Sequence, residues 1–141
     1  MEQLVNEYEG IPFKGPSSLS YNQEDNILYI ADSGTFGNIS LNKPQGSIFL
    51  YELRELDGYN VMRPLMLNCL ANPTAILYDN NKGILYVAET FANRIIRLAQ
   101  SPPGVYHASV FYQFSGRVGP TCLAVDDLDN LYVGRFEFQV I

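Results

Sequence analysis

Residues that commonly carry chemistry are scarce in this 141-residue sequence, which contains only two cysteines and one histidine. Cys69 and Cys122 are too far apart for a zinc motif or a redox CxxC pair, and both lie within apolar runs. We therefore expect two buried free thiols rather than a disulfide. His107 is expected to open an exposed outer strand, so a Ser/His/Asp catalytic unit is not predicted.

Long apolar runs and an excess of basic charge are also missing. No run could span a bilayer, and the acidic N-terminus MEQLVNEYEG does not resemble a secretory signal, so an intracellular, cytoplasmic protein is expected. Lys and Arg total 9 against 15 Asp and Glu, which argues against nucleic-acid and anionic-membrane partners. Phosphate-loop, dinucleotide-binding, HExxH and GxSxG motifs are absent as well.

Strand-forming residues, by contrast, are abundant. Apolar residues make up 47% of the chain, with 10 Tyr and 8 Phe, and this composition favours a β-rich core. Three stretches repeat one pattern of Pro, then Ser or Thr, an apolar run, a polar turn and a second apolar run: GPSSLSYNQEDNILYIADS, NPTAILYDNNKGILYVAET and GPTCLAVDDLDNLYVGRFE. Their register prolines, Pro16, Pro73 and Pro120, recur roughly every 50 residues, near the period of propeller blades.

Each of the first two copies continues into two further strands, so the sequence predicts an all-β fold. We interpret it as a β-propeller segment of consecutive four-stranded antiparallel blades in an incomplete ring. Strands are expected near 17–22, 27–32, 47–53, 64–70, 74–79, 84–89, 94–99, 108–114, 121–126 and 130–136. The predicted divisions are an N-terminal segment at 1–14, blade 1 at 15–71, blade 2 at 72–118 and the first half of blade 3 at 119–141. The segment at 1–14 is a candidate outer strand.

About two and a half blades fall short of the four to eight that usually close a propeller. The chain is therefore expected to be a piece of a larger protein, or to have its ring completed by partners. Further blades or a protein partner would cover the exposed, apolar blade faces. Two such chains could also pair into a five- or six-bladed assembly.

The stretches NILYIADSGTFGN and GILYVAETFANRIIRL resemble NHL-repeat blades and the related SMP-30/gluconolactonase-like and strictosidine-synthase-like six-bladed propellers. This resemblance implies a divalent metal at the top of the central channel. In gluconolactonase-like enzymes that metal is held by Glu, Asn and Asp side chains at the starts of inner strands. The matching channel-facing positions here are Ser17, Thr74 and Thr121, whose hydroxyls are weak ligands beside carboxylates. We therefore expect no cofactor and no metal-ligating residue, unless other blades supply the ligands.

Five residues are candidates for contacts at the rim: Asp32, Glu89, Arg94, Phe36 and Asn38. Asp32 and Glu89 end equivalent second strands, where they could form a rim of carboxylates. The favoured alternative is that they accept hydrogen bonds from backbone N–H groups of the turn that follows each strand. Arg94 is expected to pack along its blade or to pair with Glu89.

No catalytic constellation emerges from these residues. The main interpretation is a non-catalytic NHL-like propeller segment that serves as a protein-interaction scaffold, with loop 35–45 as the best contact. The alternative is part of a metal-dependent hydrolase propeller similar to SMP-30 and gluconolactonase, which would hydrolyse a lactone. On the main interpretation the chain is not an enzyme.

Overall fold

A computed structural model of the chain describes residues 2–35, 37, 41–54, 58–116 and 119–135. Within these residues, the regular secondary structure is all β-strand, so this part of the chain offers no apolar helix of membrane-spanning length. The strands are β1 (Glu7–Tyr8), β2 (Ile11–Pro12), β3 (Pro16–Asn22), β4 (Ile27–Asp32), β5 (Gly46–Glu52), β6 (Val61–Leu70), β7 (Pro73–Asp79), β8 (Ile84–Glu89), β9 (Arg94–Gln100), β10 (Tyr106–Gln113), β11 (Pro120–Val125) and β12 (Leu131–Arg135).

The inner strands begin at the register prolines, as the repeat predicts. β3, β7 and β11 start at Pro16, Pro73 and Pro120, and proline suits a strand's first residue because it has no N–H to donate. The reversals that follow use left-handed backbone, with φ of 55° at Asn26 and 67° at Gly83. Asn and Gly adopt this conformation at low cost, which is why the polar turns lie there.

Four sheets result from these strands. β3 to β6 form a four-stranded antiparallel sheet in chain order, and β7 to β10 form a second one, while β11–β12 and β1–β2 are two-stranded. β3 contacts β7, and β7 contacts β11, so the first strands of successive sheets lie side by side. The predicted fold class, a partial propeller of antiparallel blades, is confirmed. The boundaries at 1–14, 15–71, 72–118 and 119–141 stay predictions.

The main core lies between the two four-stranded sheets. Tyr29, Leu50 and Leu70 of the first sheet pack in one cluster with Tyr78 and Leu98 of the second. Apolar residues of the second strand of each repeat differ in burial. Ile30, Leu85 and Val87 are buried, whereas Leu28, Leu131 and Val133 are half-buried. Leu131 and Val133 are less covered because β11–β12 packs on the second sheet through one face.

The N-terminal hairpin β1–β2 lies on the opposite face of the first sheet. The rings of Tyr8 and Phe13 contact that of Phe49, with centroids 5.4 and 5.2 Å apart, and Val5 packs in the same cluster beside Ile30. The hairpin therefore covers the middle of a face that would otherwise be exposed.

The expected burial of the two cysteines is wrong, although both are free thiols. Cys69 is exposed on β6, the outer strand of the first sheet, and Cys122 is exposed on β11. An apolar stretch of sequence does not bury every member, because successive side chains of a strand point to opposite faces. Both thiols lie on the uncovered side of their strands.

Candidate functional site

Pairs of hydroxyls stand between successive sheets at the end of the inner strands where the register prolines lie. The hydroxyls of Ser17 and Ser33 are 2.6 Å apart, and both approach the carbonyl oxygen of Pro73, at 3.1 and 2.5 Å. One hydroxyl can donate to this carbonyl while it accepts from the other. The first sheet is thereby tied to the first residue of the second.

The same arrangement recurs one sheet further on. The hydroxyls of Thr74 and Thr90 are 2.7 Å apart, and that of Thr90 lies 2.7 Å from the carbonyl oxygen of Pro120. On β11 the hydroxyl of Thr121 faces the carbonyl of Gly134 instead, at 3.5 Å. The third repeat has a phenylalanine, Phe136, where the second hydroxyl would stand, and this residue lies outside the described part of the chain.

A repeated β-bulge positions the first hydroxyl of each pair. The register of the inner hairpin shifts at Ser17, at Thr74 and at Thr121, directly after each register proline. A bulge turns a side chain out of the normal alternation. It brings the hydroxyl of Ser17 to the carbonyl of Pro73 in the next sheet and that of Thr74 to the hydroxyl of Thr90. That these three side chains also face a channel stays a prediction.

Ser33 and Thr90 were not predicted as site residues. The sequence did contain a signal, because each directly follows the acid that ends a second strand, in IADS and in VAET. Their role depends on a neighbouring sheet that the sequence pattern does not locate.

The two carboxylates predicted near the rim are buried. Asp32 is 4% exposed and Glu89 is 1% exposed. Asp32 accepts hydrogen bonds from the backbone N–H groups of Lys14 and Gly15, at 2.9 and 2.7 Å, and Glu89 accepts one from that of Ala71 at 3.1 Å. Both carboxylates therefore accept backbone hydrogen bonds and do not form a free rim. Most of these donors precede an inner strand, and among the described hydrogen bonds only that from the N–H of Gly34 to Asp32, at 3.1 Å, comes from the following turn that was predicted.

Arginines occupy two related places at this end of the sheets. Arg94 donates from Nε to Glu89 Oε1 at 2.6 Å, so the predicted pairing with Glu89 is confirmed. Arg135 stands at the position equivalent to Asp32 and Glu89, because it pairs with Pro120 in the strand register. It donates to the carbonyl of Ser115 at 2.6 Å.

The remaining predicted residues lie elsewhere or outside the description. Phe36 and Asn38 are outside the described residues, and so is part of loop 35–45. His107 lies on β10, the outer strand of the second sheet, where its Nε2 is 2.9 Å from the carbonyl oxygen of Ser101. Its predicted outer placement is confirmed.

A surface pocket of about 260 Å³ opens beside the first hydroxyl pair. Its polar side chains are those of Ser17, Ser33, Thr35 and Asn72, and none of the described residues that line it is charged. Hydroxyls and an amide suit hydrogen bonds to a neutral, oxygen-rich molecule.

The described residues do not fit a divalent metal. Within them, no group of three or more His, Cys, Asp or Glu side chains could hold one. The hydroxyls of Ser17 and Thr74 are weak ligands and already form hydrogen bonds, that of Ser17 to the carbonyl of Pro73 and that of Thr74 to the hydroxyl of Thr90. One buried carboxylate oxygen, Oδ2 of Asp79, has no hydrogen-bond partner in the described structure, but a single carboxylate does not make a metal site.

Known proteins similar to this chain are lactonases. Over 83 residues, which are 55% of this chain and 25% of the relative, it is 35% identical to lactonase drp35 of Staphylococcus aureus (strain USA300). Over 99 residues it is 30% identical to lactonase drp35 of Staphylococcus epidermidis, covering 67% of this chain and 29% of that protein. The chain thus spans about a quarter of the length of these curated relatives. No protein-family model matches it.

A solved structure shares the fold. It is an X-ray structure provisionally described as a gluconolactonase, with a TM-score of 0.70 and 19% sequence identity, and the match covers 94% of this chain and 45% of that one. Together with the lactonase relatives, it confirms the predicted resemblance to part of an SMP-30/gluconolactonase-like propeller.

Two expectations are corrected by these similarities. The main interpretation, a non-catalytic scaffold for protein interaction, is wrong, because the similar proteins are named lactonases and gluconolactonase. The absence of catalytic motifs in this stretch misled that interpretation, since a site can be built from other blades. The expectation of no cofactor is also wrong, because the gluconolactonase-like resemblance implies a divalent metal, although the described residues do not hold it.

Proposed function

We propose that this chain, similar to part of a gluconolactonase-like propeller, contributes to an enzyme that hydrolyses lactones. The observation that carries the proposal is the 35% identity to a lactonase over 83 residues. The shared propeller fold supports it. Because the chain spans about a quarter of that relative, the activity is proposed for the whole protein, and no catalytic group is assigned to the described residues.

Lactone hydrolysis adds water to the carbonyl carbon and breaks the bond between that carbon and the ring oxygen. The ring oxygen gains a proton and becomes the hydroxyl of an open-chain hydroxy acid. A general base is needed to take a proton from water. Asp32 and Glu89 are not placed for this step, because their buried carboxylates accept hydrogen bonds from backbone N–H groups.

In this proposal, the described residues bind and orient the substrate. Thr35 and Asn72 line the pocket beside the Ser17–Ser33 pair, and they donate hydrogen bonds to lactone oxygens. The hydroxyl pairs hold successive sheets at fixed spacing, which keeps the pocket wall rigid. A wall of this kind preorganises a substrate without taking part in bond breaking.

Proton NMR of a panel of γ- and δ-lactones, incubated with the purified protein and with several divalent cations, tests the activity. We expect lactone signals to be replaced by those of the hydroxy acid faster than in protein-free buffer. Equal rates with and without protein for every lactone would contradict the proposal.

A variant tests the binding role. Thr35→Val removes one donor while nearly keeping the side-chain volume, so KM should rise roughly 5-fold, the equivalent of one neutral hydrogen bond, with kcat little changed. Ser101→Ala removes an exposed hydroxyl distant from the pocket and is the matched control. Equal KM values for the two variants would refute substrate binding by Thr35.

A further inference from the structure

A buried carboxylate lies behind the wall of the pocket between the first two sheets. Asp32 Oδ1 accepts hydrogen bonds from the backbone N–H groups of Gly15 and Gly34, at 2.7 and 3.1 Å, and both glycines line the pocket. Oδ2 accepts a hydrogen bond from the N–H group of Lys14 at 2.9 Å. Both oxygens act as acceptors, as those of an ionised carboxylate do, so a negative charge lies one hydrogen bond behind the wall.

Among the described residues, no cation is paired with this carboxylate. In the second sheet, Arg94 lies opposite Glu89 in the strand register, and the two are paired at 2.6 Å. In the first sheet, the residue opposite Asp32 is Ser47, and no described ion pair includes Asp32. The ammonium group of Lys14 donates instead to a side chain of β6, at 3.3 Å. The charge of Asp32 is therefore less compensated than that of Glu89.

The hydrogen bonds to Asp32 also use donors that an anion in the pocket would need. Two successive N–H groups that converge on one carboxylate, those of Lys14 and Gly15, form the kind of concave site that binds anions. Here Asp32 occupies this site, and it also takes the N–H group of Gly34. The polar side chains left to the pocket are hydroxyls and an amide, those of Ser17, Ser33, Thr35 and Asn72.

We propose that Asp32 makes this pocket selective for uncharged ligands over carboxylates. The inference rests on the proposed lactone hydrolysis, in which a neutral ring enters and a hydroxy acid, ionised at neutral pH, is formed. The wall that hydrogen-bonds the lactone oxygens then repels the carboxylate produced from them, because the two like charges interact across poorly solvated protein. Asp32 thus determines specificity and favours release of the product, and it does not touch the reacting atoms.

Binding of matched ligand pairs tests this selectivity. Each pair is the hydroxy acid and the hydroxy amide derived from one γ- or δ-lactone, such as 4-hydroxybutanoate and 4-hydroxybutanamide, which differ in charge but little in shape. Ligand-observed NMR gives the dissociation constants for the purified whole protein, with a chelator present so that no divalent cation contributes charge. At low salt, we expect each acid to bind at least about fivefold more weakly than its amide.

Salt and one substitution separate charge repulsion from shape. Because dissolved ions screen the repulsion, the affinity for the acid should rise about twofold between roughly 0.01 and 1 M salt, while that for the amide stays nearly constant. Asp32→Asn should bring the two affinities to within about twofold of each other. Asp127→Asn, in the turn between β11 and β12 at the other end of the inner strands, removes the same charge and is the matched control.

The ratio of the two affinities reports the charge, because a damaged fold would weaken acid and amide binding alike. Circular dichroism checks the fold of both variants. If Asp32→Asn does not fold, the ratio and its salt dependence in the unaltered protein decide the question. An acid that binds as tightly as its amide, or a ratio that Asp32→Asn leaves unchanged, would overturn the inference. Failure of every amide to bind would also overturn it.

These outcomes are separable from those of the proposed activity. Lactone hydrolysis together with equal binding of acid and amide would leave the activity standing and reject the role of Asp32. Preference for the amides without any hydrolysis would leave the charge selection standing and reject the activity.

Discussion

Arg94 Nε lies 2.6 Å from Glu89 Oε1, and this pair joins the end of β8 to the start of β9. The carboxylate is 1% exposed and its second oxygen accepts a hydrogen bond from the backbone of Ala71, at 3.1 Å. Glu89 therefore pairs with the Arg94 guanidinium group through one oxygen and accepts a hydrogen bond from the Ala71 N–H through the other. Glu89 was proposed from the sequence as a rim contact, but its contacts in the structure stabilise the second sheet.

Removal of this carboxylate should destabilise the fold. Glu89→Ala leaves the Ala71 N–H and part of the Arg94 charge without a partner, so the free energy of unfolding should fall by roughly 2–3 kcal/mol. Urea unfolding followed by circular dichroism measures this. Glu52→Ala, which removes an acid whose side chain is 36% exposed and lies 3.3 Å from Arg54, is the control and should change stability by less than about 1 kcal/mol. Equal losses for both variants would refute the role of burial.

A second prediction concerns the core between the sheets. Leu85 is 0% exposed on β8, so Leu85→Ala should cost roughly 2–4 kcal/mol through lost apolar contact and a partly unfilled cavity. Leu128→Ala, at a leucine that is 82% exposed, should stay within about 0.5 kcal/mol of the unaltered chain. Thermal and urea unfolding measure both variants. A loss below about 0.5 kcal/mol for Leu85→Ala would mean that β8 is peripheral.

A third prediction follows from two tyrosines that share a hydrogen bond. The hydroxyls of Tyr29 and Tyr106 are 2.8 Å apart. Burial, together with the Tyr106 hydroxyl, raises the pKa of Tyr29 far above its usual range, and burial also raises the pKa of Tyr106. The folded chain holds these phenol protons, whereas the unfolded chain releases them above about pH 10.

The stability contributed by these tyrosines should therefore be complete below about pH 10 and be lost as the pH rises above it. Urea unfolding at a series of alkaline pH values measures the slope. In Tyr29→Phe the decline should be shallower, because one of these protons is absent, while in Tyr59→Phe it should match the unaltered chain. Identical slopes in all three proteins would contradict the assignment.

A fourth prediction concerns the hydroxyl pair between the first two sheets. In Ser33→Ala, the hydroxyl of Ser17 can still donate to the carbonyl of Pro73, and in Ser17→Ala that of Ser33 can do so. Each single variant should therefore lose about 1 kcal/mol or less, whereas the double variant should lose more than the sum of the two, by roughly 1 kcal/mol. A double-mutant cycle measures this difference. Strict additivity would show that the two hydroxyls act independently.

Much of the strand order could be predicted because its determinants are local. The register prolines start strands where an N–H is not needed, and Asn26 and Gly83 occupy turns with left-handed backbone. These features recur in each repeat, so the starts of β3, β7 and β11 could be predicted from the sequence alone. Such local signals do not depend on which sheet packs against which.

The parts that could not be predicted depend on packing between sheets. Ser33 and Thr90 acquire a role only because a bulge and a neighbouring sheet bring a proline carbonyl within reach. Cys69 and Cys122 lie in apolar sequence yet on uncovered sides of their strands. The function was predicted wrongly because the described residues form the sheets of a propeller and do not include a set of catalytic side chains.

The rate at which the purified whole protein opens γ- and δ-lactones is the most direct test of the proposed function. Acid release is titrated at constant neutral pH, with and without protein, and the spontaneous rate is subtracted. We predict a rate that rises in proportion to protein concentration and disappears after the protein is thermally unfolded. A rate equal to spontaneous hydrolysis at every protein concentration, with divalent cations present, would contradict the assignment of this chain to a lactone-hydrolysing propeller.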